Sequence, residues 1–140
     1  MPETLLKVEN LGEMRRLLLD LPADIGKKIL KKAVFEQGRY LWHEVVQRVP
    51  VGDTGLLADS IKLKPARAGP GEVAAKVTAE KFYALFLERG FNHQASKKFI
   101  IKPFMRPAID ESRDRLYKVM EDQVKKGIQN YFKRKARGKA

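Results

Sequence analysis

Apolar residues recur at three- and four-residue steps through Ile25, Ile29, Leu30, Ala33, Val34, Leu41, Trp42, Val45, Val46 and Val49. That spacing puts them on one stripe of a helix, with Lys27, Lys28, Lys31 and Lys32 mostly on the other face. Leu21-Pro22-Ala23-Asp24 marks its start, because proline suits the first turn and an acid there meets the positive end of the helix dipole. Pro50 stops it. Gly26 and Gly38 weaken it, each by a little under ~1 kcal/mol. Upstream, Asn10 followed by Glu13 has capping-box spacing and predicts a short helix through Leu19. A second stripe, Ile109, Leu116, Met120, Val124, Ile128 and Tyr131, predicts a C-terminal helix opened by Pro107. Asp110 and Glu111 near its start and Lys133-Arg134-Lys135 near its end both oppose the dipole. Glu111/Arg115, Asp114/Lys118, Glu121/Lys125 and Asp122/Lys126 are i,i+4 pairs in the favourable orientation.

Between the two helices the period changes. Ile61-Lys62-Leu63-Lys64 alternates, as do Val73, Ala75, Val77 and Ala79 with Glu72, Lys76, Thr78 and Glu80. With the Ala68-Gly69-Pro70-Gly71 turn between them, these read as a β-hairpin. Pro65 assigns the first strand to a sheet edge or a strand end. Val51-Gly52-Asp53-Thr54-Gly55 reads as a tight polar connection. Lys81 to Gly90 fits a short buried helix or a strand equally. Asn92 to Lys98 reads as a loop, and Phe99-Ile100-Ile101 as a short strand. The expected fold is α+β: a small, mostly antiparallel β-sheet packed against two long helices. Residues 1–136 form one domain, and 137–140 a disordered basic tail.

Charge sharpens this picture. The chain has 140 residues and a formal net charge of +12. Residues 123–140 contain seven Lys and Arg and no acid, so more than half of the excess lies in that short stretch. Such a balance permits contact with nucleic acid, an anionic membrane or an acidic protein. No apolar run approaches the ~20 residues needed to span a bilayer, and no membrane contact is expected. The first ten residues lack the pattern of a secretory signal.

Catalytic chemistry is poorly supplied. There is no Cys, which removes thiol nucleophiles and cysteine metal sites. His43 sits in the first long helix with no second His four residues on, and His93 lies in a polar segment. Ser60, Ser96 and Ser112 have no nucleophile-elbow context. Asp53-Thr54-Gly55 matches the aspartic-protease triplet in letters but lacks a second copy and an apolar strand, so Asp53 reads as a turn residue. No enzyme activity, metal, cofactor or small-molecule substrate is expected. Tyr131 and Phe132 beside Lys133, Arg134, Lys135 and Arg137 suit stacking and phosphate contact, which makes those four cations candidate DNA-facing residues. A solvated helix end is the competing reading. A small sheet also leaves edges unpaired, which points to burial against copies of the same chain.

Three segments, in order, carry a further signal: Val49-Pro50-Val51-Gly52-Asp53-Thr54-Gly55-Leu56-Leu57-Ala58-Asp59-Ser60-Ile61, then Tyr83-Ala84-Leu85-Phe86-Leu87-Glu88-Arg89-Gly90, then Lys102-Pro103-Phe104-Met105-Arg106-Pro107-Ala108-Ile109. Together they resemble the head–tail joining, or tail-completion, proteins of long-tailed bacteriophages and prophages. The resemblance runs from Pro22 to about Lys126. Departures are the extra Gly52, Ala58 in place of a basic residue, Arg89-Gly90-Phe91 in place of the commoner aromatic-Gly-Thr, and Lys102 in place of Arg. The resemblance implies a structural virion protein at the head–tail junction, assembled in the host bacterial cytoplasm. Such proteins form a ring, usually six-fold, that completes the tail, meets the tail tube and head-completion proteins, and lets genomic DNA pass without reading its sequence. On that basis Val51, Asp53, Thr54, Gly55, Tyr83, Glu88, Phe104, Arg106 and Pro107 are candidate interface residues. Arg106 is a candidate anchor because a guanidinium suits interface pairing; an arginine that only rigidifies the loop between two prolines is the competing reading. A small basic nucleic-acid-binding protein is the alternative.

Overall fold

The periodic stripe between Ala23 and Arg48 forms helix α1, 26 residues long. Pro22 immediately precedes it, and its carbonyl accepts the Gly26 amide at 3.0 Å. Val49 turns extended and Pro50 follows, so the helix ends where the proline requires. This is a computed structural model that describes residues 3–7, 16, 18–50, 55–70, 72–81 and 83–138, the first of these segments by its backbone alone. Most of the short helix expected between Asn10 and Leu19 lies outside the described residues, although Arg16, Leu18 and Leu19 are helical. Gly26 has a use that propensity does not reveal. A Cβ there would stand 3.0 Å from the Leu18 carbonyl oxygen, so the missing side chain lets the preceding segment lie against the helix.

The C-terminal stripe forms the last helix, α4 (Met105–Ala136, 32 residues). It starts two residues earlier than the prolines suggested, with Pro107 inside its first turn. Asp110 and Glu111 therefore fall beyond the first turn, which contains no acid. α4 runs antiparallel to α1. Arg48 meets Glu111 at one end, the Gln37 side-chain amide donates to the Leu116 carbonyl at 2.9 Å in the middle, and Ile29 packs on Gly127 at the other end. A Cβ on Gly127 would come within 2.7 Å of the Ile29 side chain, so the glycine sets how closely the helices approach. Of the expected intrahelical pairs, Glu121–Lys125 forms at 2.8 Å, whereas Glu111 turns away to Arg48.

The helices pack on a three-stranded antiparallel sheet of order β1-β3-β2. β2 (Ile61–Ala66) and β3 (Ala74–Ala79) are the predicted hairpin, with Leu63 opposite Val77. Pro65 does sit on an edge strand. β1 (Glu3–Lys7) pairs along the other side of β3, Leu5 opposite Lys76. It had no counterpart in the sequence reading, because Glu-Thr-Leu-Leu-Lys does not alternate. With partners on both sides, β3 is the central strand, and Ala75, Val77 and Ala79 are completely buried. A one-turn helix, α2 (Leu56–Asp59), also went unpredicted; it enters from Gly55 in the left-handed region, φ 64°. The ambiguous segment is helix α3 (Tyr83–Arg89). β4 (Phe91–His93) and β5 (Lys98–Ile100) form a separate two-stranded hairpin where a loop and one strand were expected. The core divides into one group around Leu41, Val45, Phe104 and Leu116, and a second around Val34, Ala75, Met120 and Val124. The architecture is α+β, as the periodicities predicted.

Two expectations follow. Gly127→Leu overfills the α1–α4 contact and lowers stability by about 1–3 kcal/mol. Ile29→Ala in the same chain recovers part of that loss in a double-mutant cycle read by urea denaturation. Glu44 and Arg48 give a pH signature. The hydrogen bond from Arg48 (2.6 Å) holds the Glu44 carboxyl below its ordinary value. A carboxyl depressed in the folded chain adds stability above its unfolded pKa, and that increment disappears as pH falls through the folded value. Stability should therefore decline between about pH 5 and pH 2 less steeply in Arg48→Met than in the parent.

Candidate functional site

Of the first motif segment, Val51, Gly52, Asp53 and Thr54 lie outside the described residues. Gly55 is the left-handed residue preceding α2. That turn buries Leu57 and leaves Leu56 about half exposed, while the Ser60 hydroxyl caps it by donating to the Leu57 carbonyl at 2.6 Å.

The second and third segments are joined to each other. Glu88, at the end of α3, accepts the Phe104 and Met105 amides on one carboxylate oxygen, at 2.6 and 2.5 Å. These amides are among the orphan donors at the start of α4, so a carboxylate from another element caps the 32-residue helix. It also places a negative charge at the positive end of the helix dipole, a role the sequence reading gave to Asp110 and Glu111. The Lys102 amide donates to the Leu87 carbonyl at 3.0 Å, a second link between the segments. Gly90 sits at φ 88°, and the Phe99 ring lies so close that a Cβ on Gly90 would come within 2.2 Å of it. Glycine is thus required twice there, for its dihedral and for the ring above it.

The candidate interface residues consequently divide. Phe104 is fully buried and anchors the loop to the core; a partner could feel it only through that loop. Glu88 is held by the α4 amides. Tyr83 and Pro107 are half-buried, and Arg106 is exposed, with no ion-pair partner among the described residues. What the sequence reading missed is a set of exposed apolar residues on α3 and the hairpin that follows it. Phe86, Phe99 and Ile101 are 49%, 60% and 50% exposed, and Phe91 meets Phe86 edge-on at a centroid distance of 6.4 Å. These residues lie on α3, the β4–β5 hairpin and the strand's immediate continuation. From Arg89 to Ile109 the sequence contains five Lys or Arg and no acid, so the chain that carries the hairpin is basic. Their signal was present as scattered apolar residues, but only the folded chain shows which of them face outward.

Lys133, Arg134 and Lys135 form the last turn of α4, and Arg137 caps it. All four are exposed, and Phe132 beside them is 53% exposed against Tyr131. This set lies at the opposite end of α4 from Arg106, about 45 Å away at 1.5 Å per residue. His43 contacts Gln47 at 2.9 Å, and His93 holds Ser96 in the β4–β5 turn. Among the described residues no group of three or more His, Asp or Glu could hold a metal ion, and no helix is long and apolar enough to cross a membrane.

Glu88→Ala removes a charge-assisted cap and should cost about 1–3 kcal/mol. Hydrogen exchange should speed first at the Met105 amide, with Glu88→Gln intermediate in both readouts.

No curated protein and no solved structure matches the chain. A family model described as "Bacteriophage HK97-gp10, putative tail-component" matches residues 12–90, from the approach to α1 through α3 and the Glu88–Gly90 corner. With more than half of its 140 residues inside that match, the chain belongs to the HK97-gp10-like family of bacteriophage tail components.

Proposed function

We propose that this tail component is a head–tail joining, tail-completion protein. Its subunits close into a ring, six-fold by resemblance, at the junction where tail tube and head-completion proteins meet in the virion. The work is structural and involves no catalytic step. The observation that carries this reading is the exposed apolar surface of α3 and the β4–β5 hairpin, clamped to the core through Glu88. Within one chain, β4 pairs only with β5 among the described residues, so neither outer edge of the hairpin has a strand partner there. Large exposed apolar patches and open strand edges are features of surfaces that other chains cover. A ring needs a heterologous contact that closes on itself, and a hairpin projecting from one side of a subunit can seat on a different face of the next. Tyr83 shares α3 with Phe86; Arg106 and Pro107 stand in the α4 turn that Glu88 holds; and the Val51–Gly55 connection is assigned a further contact. Lys133, Arg134, Lys135 and Arg137 face the DNA that passes through, attracting phosphates without reading bases.

The test is assembly. The parent protein should form closed rings by native mass spectrometry and electron microscopy, alone or stacked on a tail-tube ring. Phe99→Asp combined with Ile101→Asp should leave the circular dichroism spectrum unchanged and abolish the ring. A protein that stays monomeric at all concentrations, and is absent from any ring in virions, overturns the reading.

A further inference from the structure

The antiparallel register fixed by Ile29 on Gly127 puts the first turns of α1 beside the last turns of α4. Two basic runs remote in sequence therefore share one end of the helix pair. Lys27, Lys28, Lys31 and Lys32 come from α1; the cations from Lys126 to Arg137 come from α4. All are exposed, and among the described residues none of them is in an ion pair. Read singly, the α1 lysines are a solvated helix face. With α4 beside them, both runs lie at one end of the pair, where the exposed acids of the described α1 start are Asp20 and Asp24.

We infer that this end of the α1–α4 pair is a single binding face for the phosphate backbone of duplex DNA, with Lys27, Lys28, Lys31 and Lys32 as full participants. Lys126 to Arg137 covers about 16 Å of rigid helix at 1.5 Å per residue. A duplex carries one charge per ~1.7 Å of its axis, so several phosphates fall within reach at once. Charges fixed on two packed helices are already ordered, which lowers the entropic cost of binding. A bilayer is a poorer fit. A membrane-surface helix buries its apolar face in lipid, whereas the α1 stripe is occupied by the core, with Ala33, Val34 and Leu41 fully buried. The inference rests on the DNA contact proposed for the tail cations and extends it to α1, but it requires no ring.

The experiment is an anisotropy titration of a labelled random-sequence duplex of about 30 base pairs, repeated from about 50 to 250 mM KCl. The full chain is compared with two quadruple glutamine variants. One replaces Lys27, Lys28, Lys31 and Lys32, and the other replaces Lys133, Arg134, Lys135 and Arg137. Each should bind at least ~10-fold more weakly at 100 mM salt, with the log–log salt slope reduced by about 0.9 for each phosphate no longer neutralised. Replacing the four α1 lysines with arginine should preserve binding. Circular dichroism should not change, since every substituted residue is exposed. Native mass spectrometry of the same samples reads ring formation separately, so failure to assemble is not mistaken for failure to bind DNA. The inference is overturned if the α1 variant keeps parental affinity and slope. It is equally overturned if no salt-dependent duplex binding occurs, or if phosphatidylserine vesicles are bound while the duplex is not.

Discussion

The close approach of α1 to α4 governs the molecule. It depends on Gly127 having no side chain beneath Ile29, on the Gln37 amide reaching the Leu116 carbonyl, and on Arg48 bridging Glu44 and Glu111 at the far end. These contacts set a register, and the register decides everything that two distant parts of the sequence do together. It seats Val34 and Met120 in one apolar group and Leu41, Phe104 and Leu116 in another. It also brings the lysine-bearing first turns of α1 beside the last turns of α4.

The second organising contact is the Glu88 carboxylate on the start of α4. A helix of this length has four unsatisfied amides at its beginning, and its own first turn contains no acid. Supplying the acceptor from α3 fixes the 90–103 segment as a closed excursion between two anchored ends. The hairpin can project with exposed aromatics because the chain on both sides of it is tied down. In this light the segments Tyr83–Gly90 and Lys102–Ile109 are one structural unit.

Much of this was legible in the residues. The 3.6-residue periods gave both long helices to within two residues, and the alternation gave the β2–β3 hairpin with Pro65 on its edge. What escaped was determined by tertiary context. β1 has no alternation of its own and exists because β3 offers it an edge. The roles of Gly26 and Gly127 are negative spaces, visible only once Leu18 and Ile29 are placed. Glu88 was singled out by resemblance, but its bonds to the amides of Phe104 and Met105 cross sixteen and seventeen residues, and no local pattern announces them. The outward face of Phe86, Phe99 and Ile101 could not be told from core, since composition is the same for both.

Pro65 has one more consequence. As the penultimate residue of β2, it has no amide hydrogen to offer on the strand's outer side, and Lys62 and Lys64 flank it with charge. That rim of the three-stranded sheet is therefore a poor template for another chain to zip onto. At high concentration, copies of the chain are discouraged from fusing there into an endless ribbon.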